Sequence, residues 1–151
     1  MSNSYPKEKL ELLIEQEILL SRLYKIFSEE FPEDKDFWLA LSDDEIKHSK
    51  WLTQLAEAVK AGTVYFDDDK INPVSLNTFV GHLKDKIRRA KEGAFTAGQA
   101  VVTALDFERS LIEKNAFACF DSDSKHNKRI ILNLIDETRN HIERVEKQRN
   151  R

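Results

Sequence analysis

Apolar residues recur at alternating spacings of three and four along most of this chain of 151 residues. Residues spaced in this way lie on one face of an α-helix, because the helix completes a turn in about 3.6 residues. The sequence contains 4 glycines and 3 prolines, so few positions interrupt a helix. These features predict an all-α protein built from long helices.

The helix ends follow from the few residues that break the pattern. The first helix begins at Pro6, which suits a first helical position, and ends before Pro32. The second runs from about Asp34 to Gly62, a residue typical of helix C-termini. The stretch AGTVYFDDDKINP then interrupts the pattern.

The second half of the chain contains three more helical segments. Asn72 and Pro73 start a short one that ends near the sequence KEG. A long helix follows from about Ala94 to Phe120, with Asn115 on its inner face. The last helix comes after the polar loop DSDSKHN. Four long helices with one long central connection predict an antiparallel four-helix bundle, whose long crossover contains the short extra helix.

Composition restricts the class of protein. The length suits a single domain over residues 1–151. A net charge of -3 gives no reason to expect nucleic acid as a partner. We expect no membrane partner either, because no apolar run approaches the roughly 20 residues of a membrane span, and the N-terminus lacks a signal-peptide pattern. The single cysteine, Cys119, excludes an intramolecular disulfide and fits a reducing compartment. We therefore predict a cytoplasmic protein.

Five ionisable residues interrupt the apolar faces at positions that should point to the bundle centre. They are Glu17, Glu45, His48, Glu108 and His141. Each half of the chain places a Glu on its first long helix and a His on its second. Glu45 and His48 are three residues apart, so they lie on one face, one turn from each other. The repetition of polar residues in both halves is more informative than any single one of them.

These five residues admit two interpretations. In the first, they have no common function: a lone Glu on an inner face is usually at a helix boundary, and a lone Glu-x-x-His arises by chance on charged helices. Together, the five residues would then form only a buried polar network. Several buried carboxylates repel one another, however, and a cation between them removes that penalty. Carboxylate and imidazole ligands suit iron, manganese and zinc. We favour a metal site. The other histidines, His82 and His126, fall at polar positions and are predicted to lie on the surface.

At these residues the chain resembles the ferritin-like superfamily, in particular the rubrerythrin-like and bacterioferritin-like di-iron carboxylate proteins. In that family two helices each supply a Glu and two others each supply Glu-x-x-His. The similarity covers about residues 8–148 and rests on EQEILLSRLY, EIKH and LDFERSLIE. It implies a ferritin-like bundle with two iron ions held by Glu17, Glu45, His48, Glu108 and His141. It also implies that Tyr24, which is not itself a ligand, donates a hydrogen bond to one of the metal ligands.

The chain departs from the family pattern at two places. The fourth helix reads TRNH, so Thr138 stands where the family has a carboxylate, and the adjacent Glu137 is the alternative ligand. The dinuclear site is then incomplete and could hold one metal well and a second poorly. The four-cysteine iron site of complete rubrerythrins cannot form with one cysteine. Any redox reaction would need an external electron donor.

The resemblance implies a redox function. Two iron ions, or manganese ions, would react with dioxygen or hydrogen peroxide, as in a ferroxidase or peroxidase. A single ion, or zinc, remains an alternative, and the sequence identifies no catalytic residue. The family also implies a homo-oligomer. The rival hypothesis, which Thr138 supports, is a non-enzymatic bundle with a degenerate metal site that acts as a scaffold or interaction protein.

Overall fold

The computed structural model describes residues 5–114 and 116–151, and most of these residues are helical. The all-α prediction is therefore confirmed. The five helices are α1 (Lys7–Glu30), α2 (Lys35–Ala61), α3 (Pro73–Lys91), α4 (Ala97–Glu113) and α5 (Lys125–Arg149). Short 3-10 turns occupy Pro32–Asp34, Asp68–Lys70 and Ala116–Cys119. Two strands of two residues each, β1 (Tyr65–Phe66) and β2 (Phe120–Asp121), pair antiparallel.

Local sequence signals explain most helix ends. Pro6 is the residue directly before α1, so the helix begins at Lys7, one residue later than predicted. Gly62 ends α2 with φ of 83°, a left-handed conformation that favours glycine. Asn72 caps α3 by accepting a 2.8 Å hydrogen bond from the Val74 amide, and Pro73 is the first helical residue, as the sequence predicts.

Helix α4 is shorter than predicted at both ends. It begins after Thr96, whose side chain and backbone exchange hydrogen bonds with Gln99 at 3.1 and 3.0 Å. It ends at Glu113 rather than near residue 120. Residues at the end of the predicted helix are buried in other elements: Phe117 lies in a 3-10 turn, and Phe120 lies in β2 against Phe66 of β1. Asn115 lies outside the described residues.

The core forms where the helices pack against one another. Helix α1 packs against α2 and α3, α4 packs against α5, and α2 contacts α5 over a smaller area. An aromatic group between α1 and α2 contains Tyr24, Phe27 and Trp38, all at most 1% exposed. The paired strands join the α2–α3 connection to the α4–α5 connection. Among residues 5–114 and 116–151, no helix is long and apolar enough to cross a membrane.

Candidate metal centre

Four helices bring five ionisable side chains together in the interior. Helix α1 supplies Glu17, α2 supplies Glu45 and His48, α4 supplies Glu108, and α5 supplies His141. Glu45 is 1% exposed and the other four are 0% exposed. The sequence singled out the same five residues because they interrupt the apolar faces, and those faces do meet. Their role as metal ligands stays a prediction.

The first of two ligand groups joins α1 and α2. His48 Nδ1 lies 3.6 Å from Glu17 Oε1 and 3.5 Å from Glu45 Oε2. The ligand atoms of these three residues all lie within 4.8 Å of one another. Two carboxylate oxygens and one imidazole nitrogen around a common point form a donor set suited to a divalent first-row metal.

The second group joins α2, α4 and α5. His141 Nδ1 lies 2.8 Å from Glu45 Oε1 and 3.3 Å from Glu108 Oε1. These three residues meet the same 4.8 Å criterion. Glu45 therefore belongs to both groups and offers a different oxygen to each histidine. Glu45 could therefore offer one oxygen to a cation in each group.

The buried polar atoms show whether these residues fit a metal. Within the described chain, seven buried side-chain nitrogen or oxygen atoms have no aligned hydrogen-bond partner, and six of them belong to this cluster. They are both oxygens of Glu17, both oxygens of Glu45, Glu108 Oε2 and His48 Nδ1. Unpartnered buried acceptors are costly, and native proteins rarely keep them without a reason. Cations between the carboxylates would satisfy these atoms, so the residues fit a metal.

Two acidic residues hold the histidines from the outer side. His48 Nε2 donates to Glu137 Oε1 at 2.9 Å, and His141 Nε2 donates to Asp44 Oδ2 at 3.0 Å. Such bonds fix the ring orientation and leave Nδ1 free for a metal once its proton is lost. The pairing is reciprocal, because Asp44 lies on α2 and bonds a histidine of α5, while Glu137 lies on α5 and bonds a histidine of α2.

The structure places Glu137 in a different position from the other candidate ligands. Its side chain is 31% exposed and also lies 3.0 Å from Lys47 Nζ, so it supports His48 from outside and joins neither ligand group. Sequence reasoning did not identify Asp44. A signal was present, because an acidic residue directly precedes both EIKH and TRNH.

Tyr24 supports the second group. Its hydroxyl donates a 2.8 Å hydrogen bond to Glu108 Oε1, so the predicted contact with a candidate ligand is confirmed. Burial, together with the charge of Glu108, raises the pKa of Tyr24 well above its usual value. The phenol therefore stays protonated and keeps donating to that oxygen.

Burial and charge move the pKa values of the cluster far from their ordinary values. Burial raises the pKa of Glu17 to about 8 and that of Glu108 to about 7, helped by repulsion from Glu45. Burial also opposes ionisation of Glu45, but its contacts with the two histidines outweigh that effect and lower its pKa to about 2.

The two histidines shift in the opposite direction. Burial disfavours their charged forms, yet the surrounding carboxylates raise the pKa of His48 to about 11 and that of His141 to about 12. Protons thus hold the cluster together when no cation is bound, and a metal must displace them.

Thr138 lies at the position where the resemblance to the ferritin-like family predicts a fourth carboxylate. It is 1% exposed and lies one turn before His141 on α5. Its hydroxyl donates to the Leu134 carbonyl at 2.7 Å. The hydroxyl proton is therefore committed to its own helix, and the residue adds no charge to the second group.

The remaining candidate residues lie away from the cluster. His82 is exposed on α3, as predicted, and His126 is exposed in the first turn of α5 rather than in a loop. Cys119 is buried at 2% exposure beside β2. Comparison of the chain with family models, with curated proteins and with solved structures gives no match.

Proposed function

We propose that this chain is a ferritin-like protein that binds two iron or manganese ions, one in each ligand group, and reacts with dioxygen or hydrogen peroxide. The observation that carries the proposal is the position of Glu45, which directs one oxygen to each of two histidine and glutamate groups. Supporting it, the donors come from four helices and follow the pattern described for di-iron carboxylate bundles at every position except Thr138.

Charge also supports two ions. The three buried glutamates carry three negative charges when ionised, and two divalent cations bring four positive ones. With neutral histidines, the loaded centre has a net charge of about +1, which is smaller in magnitude than the three uncompensated negative charges of the ionised carboxylates and less costly to bury. Without metal, protons reduce the negative charge instead, as the raised pKa values of Glu17, Glu108 and the two histidines indicate.

Each proposed ion has three protein donors, a number that leaves coordination positions open for an oxidant. Bound iron(II) would supply the electrons for reduction of dioxygen or peroxide. The chain would hold the two ions through Glu45 and orient the histidines through Asp44 and Glu137. Its leucine-rich surroundings, which include Leu13 and Leu20 at 0% exposure, would exclude water. An external electron donor would then return the oxidised iron to iron(II).

Anaerobic titration with iron(II), followed by metal analysis, tests this proposal. We expect about two ions per wild-type chain. Glu45→Ala should lose both, because Glu45 belongs to both groups, whereas Glu17→Ala should lose only the first. Glu143→Ala is a matched control, since Glu143 is exposed on α5. The rate at which iron(II) disappears on adding dioxygen or peroxide then tests the redox function.

One observation favours a second candidate function, a non-enzymatic scaffold with a degenerate site. Thr138 directs its hydroxyl to Leu134 and supplies no carboxylate to the second group. A wild-type chain that binds no iron, manganese or zinc, yet folds and associates normally, would favour this function over the first.

A further inference from the structure

A cavity of about 160 Å³ has no residue of the candidate metal centre in its lining. Residues of α1, α3, α4 and the Asp68–Lys70 turn line it. Its apolar wall includes Ile71, Phe79 and Leu111, and its polar groups include Gln16, Lys70 and Lys114. None of these six residues belongs to either ligand group.

Gln16 provides the observation that points to a ligand. This residue is 2% exposed, and its Nε2 has no hydrogen-bond acceptor among the residues that the structure describes. It is the one buried unpartnered side-chain atom of the described chain that lies outside the metal centre. A buried amide group normally has a partner, because leaving it unpaired costs stability. An acceptor atom in the cavity would supply that partner.

The charged groups around the cavity indicate the sign of the ligand. Lys114 Nζ lies 5.2 Å from the centre of the Phe79 ring and, within residues 5–114 and 116–151, has no carboxylate within 4.0 Å. Lys70 has only Asp67, at 3.8 Å. No acidic side chain lines the cavity among the described residues. Two lysines and an amide donor in the lining of one cavity favour an anion whose oxygens accept hydrogen bonds.

The size and the apolar wall restrict the ligand further. A cavity of about 150 Å³ lined by apolar side chains accommodates a benzene molecule. An aromatic ring or a chain of about five carbons would therefore fill this one and contact Phe79 and Leu111. The carboxylate of such a molecule would then be within the region of the lysines and the Gln16 amide.

We propose that this cavity binds a small organic monocarboxylate with an apolar body, of the size of benzoate or hexanoate. The apolar body packs against Phe79 and Leu111. The carboxylate accepts a hydrogen bond from Gln16 Nε2 and is neutralised by Lys114 and Lys70. The assignment does not depend on a bound metal, so it is tested separately from the proposed function.

Calorimetric titration of the chelator-treated full chain with benzoate and with hexanoate tests the proposal. We expect saturable binding of one molecule per chain. Benzyl alcohol, which keeps the ring but lacks the charge, should bind at least tenfold more weakly, and benzylammonium should not bind. Proton–nitrogen NMR should show that benzoate shifts the side-chain amide resonances of Gln16.

Three variants locate the site. Gln16→Leu removes the amide at similar size, and Lys114→Met removes a charge at similar length, so each should weaken benzoate binding at least tenfold. Lys50→Met is the matched control, because Lys50 is exposed on α2 and does not line the cavity. Its affinity for benzoate should equal that of wild type.

Thermal unfolding without ligand gives an independent measurement. Gln16→Leu should melt higher than wild type, since it replaces an unpartnered buried amide with an apolar group. A lower melting temperature would show that the amide has a partner within the fold and would overturn the assignment. No saturation at millimolar benzoate and hexanoate, or equal affinity of wild type and Lys114→Met, would overturn it as well. Lys114 is exposed, so that variant should fold whether or not Gln16→Leu does.

Discussion

Restoring a carboxylate at position 138 tests the proposed dinuclear centre most directly. Thr138→Glu would place a fourth acidic group one turn before His141, on the face of α5 that meets the cluster. The position is 1% exposed, so the new group would have little access to water. Without metal the change should destabilise the protein, and with metal it should bind the second ion more tightly.

Two energies limit how far Thr138→Glu destabilises the metal-free protein: the repulsion between carboxylates and the cost of keeping the new carboxyl protonated. Two unit charges about 4 Å apart repel by about 4 kcal/mol at an effective dielectric constant near 20. The new carboxyl can avoid this by keeping its proton. For a Glu with an ordinary pKa of about 4.3, that costs about 3.7 kcal/mol at about pH 7, since one pKa unit is about 1.36 kcal/mol. We therefore expect a loss of up to about 4 kcal/mol, or about 8–16 °C in melting temperature for a chain of this size.

Metal should reverse the order of the variants. Free ion at about 100 times its dissociation constant stabilises a folded protein by about 2.7 kcal/mol for each site. If Thr138→Glu completes a weak second site, it should gain about this much more than wild type on adding iron(II) or manganese(II). The extra gain corresponds to about 5–11 °C.

Scanning calorimetry with chelator, and then with manganese(II), measures both terms. Thr138→Gln is the matched control, because it has the size of Glu without the charge. Its metal-induced gain should not exceed that of wild type. If Thr138→Glu and Thr138→Gln gain equally from metal and bind the same number of ions, position 138 does not face the second ion, and the proposed vacancy is wrong.

The remaining predictions concern histidines, protons and outer partners. His48→Ala should weaken iron(II) or cobalt(II) binding by more than tenfold while the exposed His82→Ala leaves it unchanged, and equal affinities in calorimetric titration would contradict the ligand assignment. The pKa of Glu17 is raised to about 8, above its unfolded value, so it stabilises the chelator-treated protein most below about pH 4.5, and this contribution is lost as the pH rises through 8. Urea unfolding in chelator should therefore show stability falling from about pH 5 to about pH 8, and metal binding should release protons and tighten over the same range. Asp44→Asn should weaken metal binding about 10- to 100-fold, as loss of a histidine-orienting partner does, and Asp43→Asn, an exposed neighbour on the same helix, serves as the control.

The sequence was sufficient to predict the bounds of those helices whose ends carry a local signal. Gly62 and Asn72 mark the ends of α2 and α3 through backbone preferences that act within a few residues. The C-terminal end of α4 could not be predicted from a local signal of this kind. Phe120 was placed in this helix by the sequence, but it lies in β2, and the pairing of β2 with β1 joins residues far apart in the sequence. Phe117 lies in the 3-10 turn before β2.

The same distinction applies to the sites. Glu45 and His48 were recognisable because charged residues on an apolar face contradict the pattern around them. Asp44 lies beside that face, and its role depends on how α2 and α5 pack, because its partner is a histidine of α5. Gln16 was likewise unremarkable in the sequence. Only the contact of α1, α3 and α4 encloses its amide in a cavity.

The position of the proposed centre within the packing has a thermodynamic consequence. Helices α2 and α5 contact each other less extensively than α1 and α2 or α4 and α5 do. Their contact includes polar bonds that join His48 to Glu137, His141 to Asp44 and Arg144 to Asp44. In the proposed centre, ions bound to Glu45 would also hold α2 and α5 together.

A ligand stabilises the structure that its binding requires, and the two groups join α2 both to α1 and to α5. Because α1 and α2 already pack extensively without metal, we expect the larger gain at the α2–α5 contact. Hydrogen exchange can measure this difference, since local opening reports the stability of each segment separately. On adding manganese(II), we expect the amides of α5 around His141 to gain more protection than those of α1 around Phe27, which packs in the aromatic group. Uniform protection along all helices would mean that the centre stabilises the fold as one unit, and that the α2–α5 contact is not specifically dependent on metal.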